Sequence, residues 1–378
     1  MSNETSVLNS PELTQLREQL DEVDRRVIRS IAERQKLVQQ IGALKARTGH
    51  GTRDFSREKV VLEKAQALAV DDGLEPELAV DVLKLLIRYS LTRQEQDRLH
   101  TDGKGSGQRV LIVGGQGRMG QWFAAFFVSQ GYEIFIADPK ADPANSNHFA
   151  TLGAAGADYD IIVIATTLAL SAEILDELGQ MQPRGLVFDV GSLKSPLRDA
   201  LQSLCAAGVR VTSVHPMFGP STQVLAGRQV IFVDVGDQSA TDAARQLFAS
   251  TMATAIDMSI DEHDRLIAYV LGLSHLTNIA FVDALKRSGI DANTLAGLSS
   301  PTYDALLGMG TTVVHENPHL YYEIQHLNEF GQAPLDALLS SVSTLRGAVV
   351  EGDQAGFVAA MRSGREFIDS GTRDGSDQ

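Results

Sequence analysis

In RSIAERQKLVQQIGALKAR, residues 29–47, Ile31, Val38 and Ile41 recur at helical spacing and mark a face to be buried. Steps of three and four along the same face also land on Arg34 and Lys45. Traced backwards, the stripe reads Leu13, Arg17, Leu20, Asp24, Val27, Ile31, Arg34, Val38, Ile41, Lys45. Cations on such a stripe are costly unless an anion meets them, so the chemistry they suit is the grip of a small anionic ligand. The alternative is charged residues at the edge of the stripe, snorkelling to water. Arg17 and Arg34 lie roughly 25 Å apart along one helix at 1.5 Å per residue, too far to share one small ligand. An antiparallel helix from a second subunit would bring its Arg17 beside this Arg34.

A second stretch, RVLIVGGQGRMGQWFAAFF at 109–127, reads as a strand, a glycine loop and a helix. Gly115, Gly117 and Gly120 fit G-x-G-x-x-G, and Gln116, Arg118 and Met119 fill the loop that approaches a pyrophosphate at a helix N-terminus. The next strand, YEIFIAD, ends in Asp138, near the spacing expected of a carboxylate that binds a ribose 2′-hydroxyl. Asp138 would repel a 2′-phosphate, which favours NAD over NADP, although Lys140 is close by. A tight turn without a cofactor is the competing reading. Third, VTSVHPMFGPST at 211–222 sets His215 just after a β-rich run, where the strand ends of a parallel sheet face a cofactor crevice. A histidine titrates near working pH and suits a general base.

These residues need three kinds of scaffold. Residues 11 to about 98 read as all helix: a long amphipathic segment to Arg47, a second from about Arg57, and a third from Pro76 to Arg98. The polar, glycine-rich LHTDGKGSGQR, 99–109, reads as a linker. RVLIVGG, YEIFIAD, DIIVIAT, GLVFDVG and VRVTSV then alternate with helix-length segments, the pattern of a parallel α/β sheet, and QVIFVDV and TAIDMSI follow. From Asp261 to Ser370 the pattern is helical again, and the polar tail DSGTRDGSDQ reads as disordered. The expected domains are therefore 1–104, all-helical; 105–258, Rossmann-like α/β; and 259–378, all-helical.

The totals narrow the function. A net charge of −15 over 378 residues argues against a general nucleic-acid or acidic-membrane binder, yet leaves room for small anionic substrates. Cys205 stands alone, so no intrachain disulfide forms and a reducing compartment is expected. No signal peptide is visible, and the apolar runs, such as IIVIA at 161–165, look strand-sized. A cytoplasmic protein is expected, with neither membrane nor metal.

The first domain resembles the all-helical chorismate mutases: Arg17, Arg34, Lys45, Asp54, Arg57, Glu58, Ser90 and Gln94 all fall at that family's active-site positions. HPMFGP, with GSLKSPL at 191–197 and LSSPTY at 298–303, is similar to prephenate dehydrogenases. Nearly the full chain thus resembles the bifunctional chorismate mutase/prephenate dehydrogenases, the T-proteins. The resemblance implies an isomerase that rearranges chorismate to prephenate and an NAD-dependent oxidoreductase that converts prephenate to 4-hydroxyphenylpyruvate, for tyrosine biosynthesis. In the mutase, Arg34 and the partner's Arg17 would clamp carboxylates. Lys45 and Gln94 would donate to the ether oxygen, Glu58 and Asp54 would accept from the ring hydroxyl, and Ser90 and Arg57 would complete the shell. In the dehydrogenase, His215 would be the base, with Ser192 orienting its imidazole. His275 would face the substrate or inhibitory tyrosine, with a satisfied core residue as the alternative. His263, in DEHDRL, reads as structural, and Ser299 and Ser300 as helix caps. Homodimerisation through the first helices and the C-terminal domain, and feedback by tyrosine, are implied in the same way.

The pattern is broken at two places. Enterobacterial relatives carry an arginine for the prephenate carboxylate where this chain has Thr312, and a histidine where it has Ala207. Arg265, Arg228 or Lys194 are the candidate substitutes for the missing cation. The alternatives are a dehydrogenase for arogenate or 4-amino-4-deoxyprephenate, or a weakened ligand-sensing module.

Overall fold

The computed structural model describes residues 11–47, 55–102, 105, 107–223, 225–298 and 300–373. For Ala43 and residues 45–47, 55–59, 91–102 and 371–373 the description covers the backbone only.

The N-terminal region consists of α1 (Pro11–Arg47), α2 (Phe55–Asp71) and α3 (Pro76–Asp102). Proline opens α1 and α3, where its missing N–H costs nothing. The third helix runs past Arg98 into the expected linker, because no glycine or proline interrupts the chain before Gly103. The second half of α1 packs toward α3, leaving Ile31, Arg34, Gln35 and Val38 half-buried, whereas every residue from Thr14 to Ser30 is exposed. Leu16, Leu20, Val27, Ile28, Leu37 and Ile41 keep at least 50% of their surface in water. Within a single chain, the apolar stripe of α1 is half-used.

The middle region is an eight-stranded sheet: β1 (Arg109–Val113), β2 (Glu133–Ala137), β3 (His148–Phe149), β4 (Ile161–Ile164), β5 (Leu186–Asp189), β6 (Val211–Pro216), β7 (Gln229–Val233) and β8 (Thr254–Met258), in spatial order 3-2-1-4-5-6-7-8. Helices α4 (Arg118–Ser129), α5 (Leu152–Ala155), α6 (Leu168–Met181), α7 (Arg198–Ala206) and α8 (Gln238–Leu247) accompany it. Neighbours from β3 through β6 are parallel, and β7 turns antiparallel to β6 with His215 opposite Ile231. The connection between β6 and β7 contains no helix, and a parallel return needs a crossover. Alternate residues of β1 feed two cores, Leu111 and Val113 packing with Ile162 and Leu175, Val110 and Ile112 with Phe123 and Phe188. Both faces are covered, so the central strands are apolar throughout.

Beyond Ser259, whose Oγ accepts from Glu262 N, come α9 (Ile260–Ile267), a π-helical turn (Ala268–Leu273) and α10 (Ser274–Arg287), forming one continuous rod. Then follow α11 (Ala292–Ala296), α12 (Pro301–Val314), α13 (Pro318–His326), α14 (Gln332–Glu351) and α15 (Gln354–Arg373). The expected disordered tail is helical as far as Arg373. The rod also corrects the reading that apolar runs are strand-sized: Ile260–Arg287 is long and apolar enough, by length and composition, to cross a membrane. LIAYVLGLSHLTNIAFV, 266–282, contains no acid, lysine or arginine, and its first eight residues are an unbroken apolar run. A buried Asn278 and the π-helical turn interrupt the rod.

Candidate active sites

On the helical domain, α1 and α3 bring together two of the anticipated residues. Arg34 Nη1 donates to Ser90 Oγ at 2.9 Å and to Leu86 O at 3.4 Å. The Ser90 hydroxyl is buried and also lies 2.7 Å from Leu86 O and 3.1 Å from Gln35 Oε1. Burial lowers the Arg34 pKa from its ordinary value, the signature of a guanidinium partly stripped of water. Its described partners are neutral oxygens, and a groove of about 530 Å³ lined by Val27, Ser30, Ile31 and Leu86 opens beside it. Arg17 is exposed on the same helix. Lys45, Arg57, Glu58 and Gln94 belong to α1, α2 and α3, but their side chains lie outside the described residues, as does Asp54 altogether.

In the sheet domain, the loop between β1 and α4 is built on backbone proximity. Gly117 N donates to Gly114 O at 3.0 Å. A Cβ on Gly120 would meet that same oxygen at 2.2 Å, and one on Gly115 would meet Ile136 at 2.7 Å. Gly114, which the motif reading passed over, takes φ +82°, a conformation that favours glycine. Asp138 ends β2 with Oδ2 accepting from Gln116 N at 3.1 Å and Oδ1 from Lys140 N at 2.8 Å. Between them runs a cavity of about 570 Å³, at the point where strand order reverses between β1 and β4. Gly114, Gly117, Met119, Asp138 and Ser192 line one side, and Asn317, His319, Leu320 and Glu323 of the helical region line the other. Arg118 spans the two regions, pairing with Glu316 at 2.8 Å. Glycines stripped of side chain, a helix N-terminus and an acid fit the pyrophosphate and ribose of a dinucleotide.

His215 ends the neighbouring β6 and is 4% exposed. Its Nδ1 lies 2.8 Å from His263 Nε2, and His263 Nδ1 lies 2.6 Å from Asp264 Oδ1. Among the described residues no hydrogen bond joins Ser192 to His215: the Nδ1 of His215 is met by His263, and Ser192 lines the cofactor-sized cavity. The adjacent imidazole and carboxylate in DEHDRL were the sequence signal for the true companion. Burial first, then the proximity of His263 and Lys194, pull the His215 pKa well below its ordinary value. His275 stacks on Tyr321 with ring centroids 4.2 Å apart, and its buried Nδ1 has no hydrogen-bond partner among the described residues. Burial lowers its pKa too.

The candidate cations fare differently. Lys194 is fully buried and spent on Asp189 Oδ2, Gly191 O and Val214 O at 2.7–3.0 Å, so it is not free for a substrate carboxylate. Arg265 lies over the Phe330 ring at 5.3 Å, Arg228 is exposed, and Ala207 caps the end of α7. Thr312 turns its hydroxyl back to Gly308 O. Ser300 caps α12 by accepting from Tyr303 N at 3.3 Å, while Ser299 lies outside the described residues.

A helical unit with a half-buried guanidinium, followed by a nucleotide-type sheet with a buried histidine, defines a two-site enzyme. Comparison with known proteins agrees region by region. Residues 16–95 match the model for chorismate mutase type II, 144–256 that for the prephenate dehydrogenase nucleotide-binding domain, and 259–363 that for its dimerization domain. The T-protein of Enterobacter agglomerans is 27% identical over 93% of this chain and 91% of its own. The 4-amino-4-deoxyprephenate dehydrogenase of Streptomyces pristinaespiralis is 29% identical over 66% of this chain and 88% of its own. In fold, the prephenate dehydrogenase of A. aeolicus, solved with hydroxyphenyl propionate and NAD+, aligns with a TM-score of 0.54 at 20% identity, covering 70% of this chain and 98% of that one. The chain belongs to the bifunctional chorismate mutase/prephenate dehydrogenase family, the T-proteins.

Proposed function

We propose that the chain rearranges chorismate to prephenate on its N-terminal helices and then oxidatively decarboxylates prephenate to 4-hydroxyphenylpyruvate on the sheet domain, with NAD. The observation that carries the first half is Arg34, half-buried, held on Ser90 and beside an open groove without an anion among its described partners. The rearrangement is pericyclic and needs no nucleophile or proton transfer. Fixed charges that hold a compact conformer and meet the ether oxygen as it gains charge are sufficient. Arg34 and the partner subunit's Arg17 would hold carboxylates, Lys45 and Gln94 the ether oxygen, and Asp54 and Glu58 the ring hydroxyl, with Arg57 and Ser90 supporting them.

For the second half, Gly115, Gln116, Gly117, Arg118, Met119, Gly120 and Asp138 would hold NAD. When bound, NAD supplies the hydride acceptor. His215 would take the proton of the ring hydroxyl, and its lowered pKa keeps the imidazole neutral near pH 7, with a lone pair open to accept it. Ser192, on the cavity wall, would touch the cofactor side. His275 would meet the substrate or tyrosine, which as the pathway's amino acid would act as feedback ligand. Homodimerisation is supported by the matched dimerization domain and by the uncovered stripe on α1. We take the protein to act in the cytoplasm, a reading that its single cysteine supports.

One observation favours a second substrate: Thr312, in place of the arginine, turns its hydroxyl to Gly308 O, Lys194 is already saturated, and the Streptomyces relative is named for an amino analogue. Supplying chorismate and NAD and following chorismate loss with NADH absorbance tests the main reading. Chorismate loss without NADH removes prephenate as the oxidised substrate. Turnover of 4-amino-4-deoxyprephenate or arogenate in its place would establish the second.

A further inference from the structure

We infer that His263 and Asp264 act on His215 as a positioning dyad, fixing which nitrogen of the base is bare and taking up charge when it is protonated. The inference rests on the reading of His215 as the base and adds a mechanism for it.

The proton inventory starts at Asp264. Its carboxylate accepts from Lys194 N at 2.9 Å, Ser195 N at 2.6 Å, the Ser195 hydroxyl and His263 Nδ1. Burial pushes this carboxyl up, but the bonds from His263 and Ser195 together outweigh it, and its pKa ends below the usual value. Asp264 is therefore an anion that only accepts, and His263 Nδ1 must carry a proton. Burial outweighs the neighbouring carboxylates at His263, whose pKa is lowered, so a neutral ring has its one proton on Nδ1. His263 Nε2 is then bare and accepts from His215 Nδ1. His215, neutral as well, is left with a bare Nε2, the lone pair a substrate hydroxyl needs. No described residue bonds that nitrogen.

The charged groups around the pair close the account. Lys194 opposes protonation of both rings, and Asp189, paired to Lys194 at 2.9 Å, favours it on His263. Asp264 is the carboxylate that meets the two rings directly, through His263 Nδ1. When Nε2 of His215 takes a proton from the substrate, the Nδ1 proton can pass toward His263 Nε2 while the Nδ1 proton of His263 moves toward Asp264. One proton enters the chain of rings, none is lost, and the charge is spread to the anion.

The test uses the full chain with added prephenate and saturating NAD. His263→Leu, which removes the acceptor, should lower kcat about 10²-fold while prephenate KM stays within about threefold. His263→Gln, whose Oε1 can accept from His215 Nδ1, should recover most of that loss. Asp264→Asn should lower kcat and move the acidic limb of the kcat/KM profile to lower pH, because an anion facing the pair is gone. Selective ¹⁵N-histidine spectra of the unaltered protein, assigned by substituting single members of its nine histidines, should show His215 protonated on Nδ1. That measurement reads the proton on the unaltered protein, so it does not depend on the activity of His263→Leu or Asp264→Asn. Wild-type kcat and acidic limb in His263→Leu and Asp264→Asn, or His215 protonated on Nε2, would overturn the dyad. Separately, undiminished turnover by His215→Asn would overturn the base assignment beneath it.

Discussion

The helical N-terminal region and the sheet domain handle buried charge in opposite ways. In the first, Arg34 is desolvated against neutral oxygens, and Arg17 stands exposed on an uncovered stripe of the same helix. The site is left open to two visitors, a dicarboxylate and a second helix. In the second, where it meets α9, buried charges are answered within one chain: Lys194 by Asp189, and Asp264 by two backbone N–H groups, a hydroxyl and an imidazole. The chemistries explain the contrast. A pericyclic step needs positive charge in a fixed place, and the substrate itself can supply the compensation. A hydride transfer coupled to proton removal needs one imidazole nitrogen to be bare before the substrate arrives, so its surroundings must be complete beforehand.

The contrast breaks most severely at the guanidiniums. Arg34→Ala should reduce mutase turnover by about 10³-fold or more, since a preorganised charge contact in a sheltered site is lost, while added prephenate is still oxidised. Arg17→Ala should do the same. If the site is shared between subunits, mixing the two inactive variants under exchange should return about a quarter of wild-type mutase activity, because half of the dimers would hold one intact site of two. No recovery from the mixture would mean that both arginines act within one chain.

Gly120→Ala probes the opposite half. A methyl group placed 2.2 Å from Gly114 O must push the loop apart, and backbone cannot yield as a side chain can. NAD affinity measured by titration should fall roughly 10²-fold, in line with lost contacts worth two to three kcal/mol, with chorismate turnover unchanged. A smaller shift should follow from Asp138→Ser. Removing a carboxylate whose oxygens face Gln116 N and Lys140 N takes away the charge that would repel a 2′-phosphate, and leaves Lys140 nearby. The ratio of kcat/KM for NADP over NAD should rise about tenfold, or 1.4 kcal/mol. An unchanged ratio would place the ribose elsewhere.

Much of this architecture was legible because it rests on periodicity. Alternating strands with a glycine turn announce a two-faced sheet, and the 3.6-residue stripe of α1 announces a face to cover. Legibility failed where contacts are long in sequence. Ser192 is close to His215 in family register, yet Nδ1 is taken by His263, 48 residues further along the chain. Lys194 looked like a free cation because a lone lysine carries no sign of the three oxygens that saturate it. The antiparallel turn of β7 was hidden for a different reason: direction depends on what connects two strands, and their composition does not record it. The apolar rod 266–282 escaped because Ser274, His275, Thr277 and Asn278 break its apolar run without stopping the helix.

The smallest effect distinguishes the two halves by acid. His215 and His263 both have folded pKa values below their ordinary value, burial being the first cause at each. Folding therefore favours their neutral forms, and the unfolded chain binds more protons as pH drops below about 6.5, the free histidine value. Stability from these groups is fully present above that pH and is lost as pH falls toward their folded pKa values. Asp264 works in the same direction at lower pH, since its folded pKa also lies below its ordinary value. The sheet domain should thus melt several degrees lower at pH 5 than at pH 7.5, on the order of 1 kcal/mol per histidine. His263→Gln should flatten part of that slope. Among the described residues of α1–α3 the one histidine is His100, two residues before the end of α3, so melting of the helical unit, followed through chorismate turnover after brief heating, should vary less over the same interval. Equal slopes in the two halves would mean that the buried imidazoles are charged in the folded protein, and the neutral pair from which the bare Nε2 was deduced would not exist.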